Sequence, residues 1–196
     1  MTTVIYLHGF RSTPFSKKGQ VMREAWSEAM QYRAPDLNFS PENVQPILMD
    51  VVKDLDPKDL VLVGSSLGGF YANWLAEKIG CRAILLNPAT EPWSVINDYL
   101  GVQLITGTDR TITVTPEYAD EAKAMVSHPS DPSRYLVVLC TGDEVLDWSK
   151  AHAKYADCRQ IVIDGNTHEI VDFESYIPQL EEFIRQPQSV TDKSRH

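Results

Sequence analysis

Apolar residues arrive along this chain in two rhythms. Short continuous runs at Val4–Leu7, Leu60–Gly64, Ala83–Leu86, Tyr135–Cys140 and Gln160–Ile163 lack strict alternation. They read as strands buried on both faces, with Tyr32–Ala34 as a weaker sixth. Between them the spacing turns helical. Val21, Met22, Ala25, Trp26 and Ala29 share one face, and Val44, Ile47, Leu48, Val51, Val52 and Leu55 share another. The second face follows a Ser40-Pro41 start signal and runs past Pro46, which is placed to bend it. Leu67, Tyr71, Leu75 and Ile79 form a third stripe that stops at Gly80. Helices over 115–127, 147–156 and 172–185 complete the series, with Thr115, Asp147 and Asp172 as their expected caps. This alternation predicts an α/β fold: a three-layer α/β/α sandwich around a mostly parallel sheet of about six strands. In such a sheet, sites form outside the carboxyl ends of strands.

The rhythm breaks twice. Across residues 88–114, Trp93, Ile96 and Leu100 suit a short amphipathic helix. Gln103–Thr106 and Arg110–Val114 suit a hairpin turning at Gly107-Thr108-Asp109. The segment reads as a small cap over the site, the alternative being an ordinary surface excursion. Residues 186–196 carry no apolar period and read as a flexible tail. Residues 1–185 are therefore expected to be one domain with the cap inserted.

Composition narrows the class. A chain of 196 residues, 43% hydrophobic and 23% charged, has the balance of a single globular domain. Its 27 acidic against 18 basic side chains, a formal charge of -9, disfavour a nucleic-acid partner. No basic segment precedes an apolar run near the start, and no stretch approaches the roughly 18 apolar residues that cross a bilayer. A cytoplasmic protein without a membrane partner is expected. Cys81, Cys140 and Cys158 are far apart, without C-x-x-C spacing, and read as reduced thiols. These patterns set no oligomeric state.

Candidate chemistry begins where the Leu60–Gly64 run meets the third helical stripe, at Gly64-Ser65-Ser66-Leu67-Gly68-Gly69. A nucleophile elbow, G-x-S-x-G, holds a serine on a strained strand-to-helix turn, so the positions two before and two after it must be small. Ser66 has Gly64 and Gly68 there, whereas Ser65 has Val63 and Leu67 and fails. Neither phosphate-loop pattern, G-x-x-x-x-G-K-[ST] or G-x-G-x-x-G, fits. A serine hydroxyl needs a histidine base oriented by a carboxylate, in the chain order Ser, Asp or Glu, His. His168 lies in the loop between the last strand and the last helix. His128 lies off any strand end, His152 is inside a helix, His196 ends the chain, and His8 precedes the serine. For the acid, Asp143 comes first off the Tyr135–Cys140 strand; Asp147, better read as a cap, and Glu144 remain alternatives. Two backbone N–H groups must hold the oxyanion. Leu67, next after the nucleophile, offers one, and Phe10 in the His8-Gly9-Phe10-Arg11 loop is assigned the other, with His8 bracing that loop.

With these stretches in hand, the sequence resembles short bacterial alpha/beta-hydrolases, the YqiA/YcfP-like esterases. The likeness rests on Tyr6-Leu7-His8-Gly9-Phe10, Val63–Ala72, Leu86-Asn87-Pro88-Ala89, Thr141–Asp147 and Gly165-Asn166-Thr167-His168. It runs from about residue 3 to 185 and departs from the family pattern at Thr167 and Glu169. The resemblance implies an alpha/beta-hydrolase with Ser66, Asp143 and His168 as nucleophile, acid and base. It implies cleavage of carboxylic esters or acyl thioesters such as acyl-CoA, with no metal and no organic cofactor. Phe15, Trp93, Tyr99 and Leu100 are candidate substrate contacts. Arg11, Lys17 and Lys18 make a local basic spot, read either as a solvated helix start or as a seat for a CoA phosphate. Two rival functions remain: a hydrolase of small peptides or amides, and a non-catalytic hydrolase-fold scaffold.

Overall fold

The computed structural model describes residues 1–186 of the chain. Six strands form one sheet: β1 (Thr3–Leu7), β2 (Gln31–Arg33), β3 (Leu60–Ser65), β4 (Arg82–Leu86), and, after a separate pair, β7 (Tyr135–Cys140) and β8 (Arg159–Ile163). Their order is β2-β1-β3-β4-β7-β8, and every pairing in it is parallel. The separate pair is an antiparallel hairpin, β5 (Gly101–Leu104) and β6 (Thr111–Val114). The helices are α1 (Lys17–Trp26), α2 (Pro41–Val52), α3 (Leu67–Ile79), α4 (Trp93–Ile96), α5 (Glu117–Lys123), α6 (Trp148–Lys154) and α7 (Ile177–Arg185).

Continuous apolar strands follow from having two cores to fill. Successive side chains point to opposite faces of a strand. Ile5, Leu7, Leu62, Leu85 and Val137 therefore join a cluster with Leu48 of α2, Leu75 of α3, Ala122 of α5 and Ala151 of α6. Val4, Tyr6, Val63, Ile84 and Val138 join a second with Met22 and Trp26 of α1 and Leu180 and Phe183 of α7. The three layers are thus α2, α3, α5 and α6, the sheet, and α1 with α7, the short α4 packing on the first side through Ile96. Cys81, Cys140 and Cys158 are buried free thiols within these layers.

Local signals explain most helix ends. Ser40 accepts from the Asn43 N–H with Pro41 in the first turn of α2, Asp147 accepts from the Ser149 N–H, and Gly80 closes α3 at a left-handed φ of 78°. Two expected caps fail. Pro116, not Thr115, occupies the cap position of α5. Asp172 is left-handed (φ 61°) and makes no capping bond; a 3-10 turn over Phe173–Tyr176 intervenes, and α7 begins at Ile177. Pro178 sets that start, because a proline without an N–H suits the first helical turn.

Within 88–114, the helix is the four-residue α4 continued by a 3-10 turn over Asn97–Tyr99, and the hairpin turns through Gly107 at φ 77°. Its first strand starts two residues earlier than expected. The hairpin is tied to the loop after β1: Arg11 Nε donates to the Leu104 carbonyl (3.1 Å) and the Thr106 N–H to the Arg11 carbonyl (2.8 Å). Arg110 adds an ion pair with Asp36. Of the expected tail, only Gln186 lies among the described residues.

Candidate active site

From β1 the chain moves to β2 on one side and returns to β3 on the other, so the loops leaving β1 and β3 diverge at their carboxyl ends. A crevice opens where strand order reverses in this way. Ser66 stands at the end of β3 with φ 56° and ψ -117°, in the elbow conformation. Such strain, about 1–3 kcal/mol, persists only where the surroundings enforce it. Here they do. A Cβ on Gly64 would meet the Gly68 carbonyl oxygen at 2.2 Å, and one on Gly68 would meet the Leu7 carbonyl oxygen at 1.9 Å. Ser65 is the last residue of the strand and buried.

Two strands away, the turns after β7 and β8 come together. Gly142 permits the approach, since a Cβ there would lie 2.8 Å from the Asn166 carbonyl oxygen. Thr141 Oγ1 clasps the turns by donating to Asp164 (2.9 Å) and accepting from the Gly165 N–H (2.7 Å). Asp143 Oδ2 then lies 2.8 Å from His168 Nδ1, its side chain 1% exposed. Its other oxygen accepts the N–H groups of Val145 and Leu146, both at 2.8 Å. Burial pushes this carboxyl up, but the His168 bond and the two backbone donors outweigh it and hold the group below its ordinary value. An ionised Asp143 only accepts, so Nδ1 carries the proton and Nε2 keeps its lone pair. The alternative acids do other work. Glu144 accepts the His168 backbone N–H (3.0 Å), and Asp147 caps α6.

Ser66 and His168 line one cavity of about 220 Å³ with Phe10, Leu67, Tyr99 and Ile96. Among the described residues no hydrogen bond joins the serine hydroxyl to the ring, a looseness common in unliganded sites. The N–H groups of Phe10 and Leu67 have no protein acceptor among the described bonds. His8 is buried behind this loop. Its Nδ1 reaches the Gly9 carbonyl (2.8 Å) and its Nε2 accepts the Leu37 N–H (2.9 Å), so the ring is neutral, and burial holds its pKa down.

Of the four expected substrate contacts, Tyr99 lines the cavity, edge-on to Phe10 at 5.3 Å between ring centres. The other three do not line it. Phe15 is 64% exposed, Leu100 leads into the hairpin 46% exposed, and Trp93 packs against the core. Trp93 opens α4 and Leu100 follows the 3-10 turn, whereas Ile96 and Tyr99 between them line the cavity; Phe15 sits in the turn before α1. Among the described residues, no group of three or more His, Cys, Asp or Glu side chains is placed to hold a metal ion, and no helix is long and apolar enough to cross a membrane.

One residue entered the sequence reading only as part of a matching stretch, without a role. Asn87, at φ 41°, accepts the Cys140 N–H (2.8 Å) and donates to the carbonyls of Thr167 (3.3 Å) and His168 (3.0 Å). On the other side of β4, the Ser66 N–H donates to the Leu86 carbonyl and the Ala89 N–H to the Ser66 carbonyl, both at 3.0 Å. Residues 86–89 thus touch both the elbow and the histidine loop. The available signal was an asparagine between a strand end and a proline, a type that tolerates left-handed backbone.

Comparison with known proteins gives the family and the fold. The profile of the uncharacterised protein family UPF0227 matches residues 3–185. A UPF0227 protein of Serratia proteamaculans is 27% identical over 197 residues, 94% of this chain and 99% of the relative. One from Yersinia enterocolitica is 26% identical, over 92% and 97%. Among solved structures, Est1E of Butyrivibrio proteoclasticus with ferulic acid bound superposes with a TM-score of 0.68 at 18% identity, covering 94% and 88% of the two chains. Mouse alpha/beta hydrolase domain-containing protein 10 gives 0.67 at 16%, over 93% and 89%. Carboxylesterase CesB of Bacillus subtilis gives 0.62 at 15%, over 94% and 84%. The fold is that of the alpha/beta-hydrolases.

Proposed function

The chain belongs to the uncharacterised family UPF0227, and from that premise we propose that it is a serine-dependent hydrolase of carboxylic esters or acyl thioesters. The observation that carries the reading is the 2.8 Å Asp143–His168 pair opening onto the cavity that holds the elbow serine. His168 Nε2 takes the proton from Ser66 Oγ as it attacks the acyl carbonyl carbon. The N–H groups of Leu67 and Phe10 receive the oxygen as it becomes negative, each such donor being worth about 3 kcal/mol of barrier in serine hydrolases. His168 then gives its proton to the departing alcohol or thiol. Water repeats the sequence against the acyl-enzyme and releases the acid. Asp143 stays ionised and holds the tautomer. The segment 88–114 serves as the cap, contributing Pro92, Val95, Ile96, Tyr99 and Thr106 to the wall. Esterase names among the structural neighbours, Est1E and CesB, agree with this reading.

A fluorophosphonate should label the folded protein, and Ser66→Ala should abolish both labelling and hydrolysis of p-nitrophenyl hexanoate. Absence of labelling in the folded wild type would favour the scaffold alternative. A clear preference for aminoacyl amides would turn the reading to amide hydrolysis.

A further inference from the structure

The basic spot of Arg11, Lys17 and Lys18 does not behave as one solvated patch. Lys17 is exposed, but Lys18 is 4% exposed and lines the catalytic cavity together with Arg11. We propose that this cavity selects esters carrying a carboxylate, held by Lys18 and Arg11; the inference rests on the serine-hydrolase reading above.

An ammonium has three N–H donors. Two of Lys18's go to Glu169, one to its carbonyl (2.9 Å) and one to its carboxylate (2.7 Å). The third has no acceptor among the described residues. In this ion pair the lysine side chain is 5% exposed and the glutamate 79%, so the negative end faces water and the positive end lies at the buried wall. Arg11 is held from two sides. Its Nε bonds the Leu104 carbonyl, and its guanidinium carbon sits 5.4 Å above the centre of the Tyr99 ring. Its two terminal nitrogens have no protein acceptor among the described bonds, which leaves the planar fork that suits a carboxylate. The charged side chains lining the cavity are Arg11, Lys18 and Glu169, a surplus of one positive charge in a chain of net -9. Ser12 and Ser16 add hydroxyls on this side, while Ala89, Val95, Ile96 and Leu146 make an apolar wall. A cavity of about 220 Å³ takes a short acyl or aryl group with a terminal carboxylate and is too small to take in a nucleotide-sized leaving group.

The carboxylate could sit on the acyl part or on the leaving group, and two matched pairs separate these cases. One pair is p-nitrophenyl hemiadipate against p-nitrophenyl hexanoate. The other is 4-carboxyphenyl butyrate against its neutral methyl ester. In at least one pair, kcat/KM should favour the carboxylate by tenfold or more, and Lys18→Met or Arg11→Gln should cut that ratio at least tenfold. Glu169→Gln, which keeps the ammonium and removes its counter-charge, should hold or raise the ratio. A wild type that shows no preference for the carboxylate in either pair overturns the inference, as does a ratio that neither cation variant moves. If both cation variants fail to fold, competition in the wild type decides: adipate should inhibit at least tenfold more tightly than its neutral isostere adipamide, and equal inhibition overturns the inference. Loss of turnover on all four esters together with absent fluorophosphonate labelling overturns the hydrolase reading itself; labelling with no carboxylate preference overturns this inference alone.

Discussion

At the scale of single residues, Asp143 and Asn87 act on His168 in different ways, and each way has its own kinetic signature. Asp143→Asn replaces a pure acceptor with an amide that can turn its NH2 toward Nδ1, which then carries the lone pair while Nε2 carries the proton. Loss of this tautomer control should lower kcat on p-nitrophenyl hexanoate by about 10⁴-fold, with urea stability at pH 7 changed far less. Asn87→Ala removes three hydrogen bonds and strands the Cys140 N–H and the His168 carbonyl in a buried place. Its expected cost is about 1–3 kcal/mol of stability per stranded group, read in urea melts, together with a drop in kcat as the histidine loop loosens. The triad candidates were legible because each falls in the first few residues after an apolar run, a position that one-dimensional spacing encodes. Asn87 was not, because its three contacts reach 53, 80 and 81 residues along the chain.

Elements carry the next constraint, the shape of the cavity. Val95 within α4 and Val145 and Leu146 from the turn after β7 line both the cavity of Ser66 and His168 and a second one of about 100 Å³ beside α6. They form a partition between the two. Leu146→Ala should join them, moving the optimum in a p-nitrophenyl ester series toward longer acyl chains; an unchanged optimum would mean that the partition does not limit length. The Glu91–Lys150 ion pair, 2.7 Å apart, spans the far side of that second space. Sequence spacing found both the short helix and the hairpin of residues 88–114. It missed their phase, because a four-residue helix passing into a 3-10 turn changes which residues face inward. That is why Tyr99 faces the cavity and Leu100 does not. The same limit applied to α7, where Pro178 moved the start past the expected cap.

For the whole molecule, alternating apolar runs and helical stripes sufficed to give the layers and the strands, since a sheet covered on both faces needs apolar residues at every strand position. Strand order was not written there; it comes from pairing and connection handedness. Global stability should report the buried groups with displaced pKa values. His8 is kept neutral by burial, so below its unfolded value near 6.5 the unfolded chain binds a proton that the folded one refuses. Stability is then lost as pH falls, by up to about 1.4 kcal/mol per pH unit for that one proton. Asp36 and Arg110, beside the ring, act in opposite senses and partly cancel. Asp143 and Glu169 have lowered values, so their contribution holds above about pH 4 and disappears only in stronger acid. Urea midpoints should therefore decline between pH 7 and 5, and His8→Gln should flatten that decline; an equal slope in the variant would remove His8 as the cause. The segment Leu86–Ala89 has a mechanical corollary. It behaves as a drawbar coupling two otherwise separate carriages, one bearing the hydroxyl and the other the imidazole with its counter-ion. Gentle heating that slackens this drawbar should extinguish turnover while far-ultraviolet dichroism still reads native, so that inactivation precedes melting by several degrees.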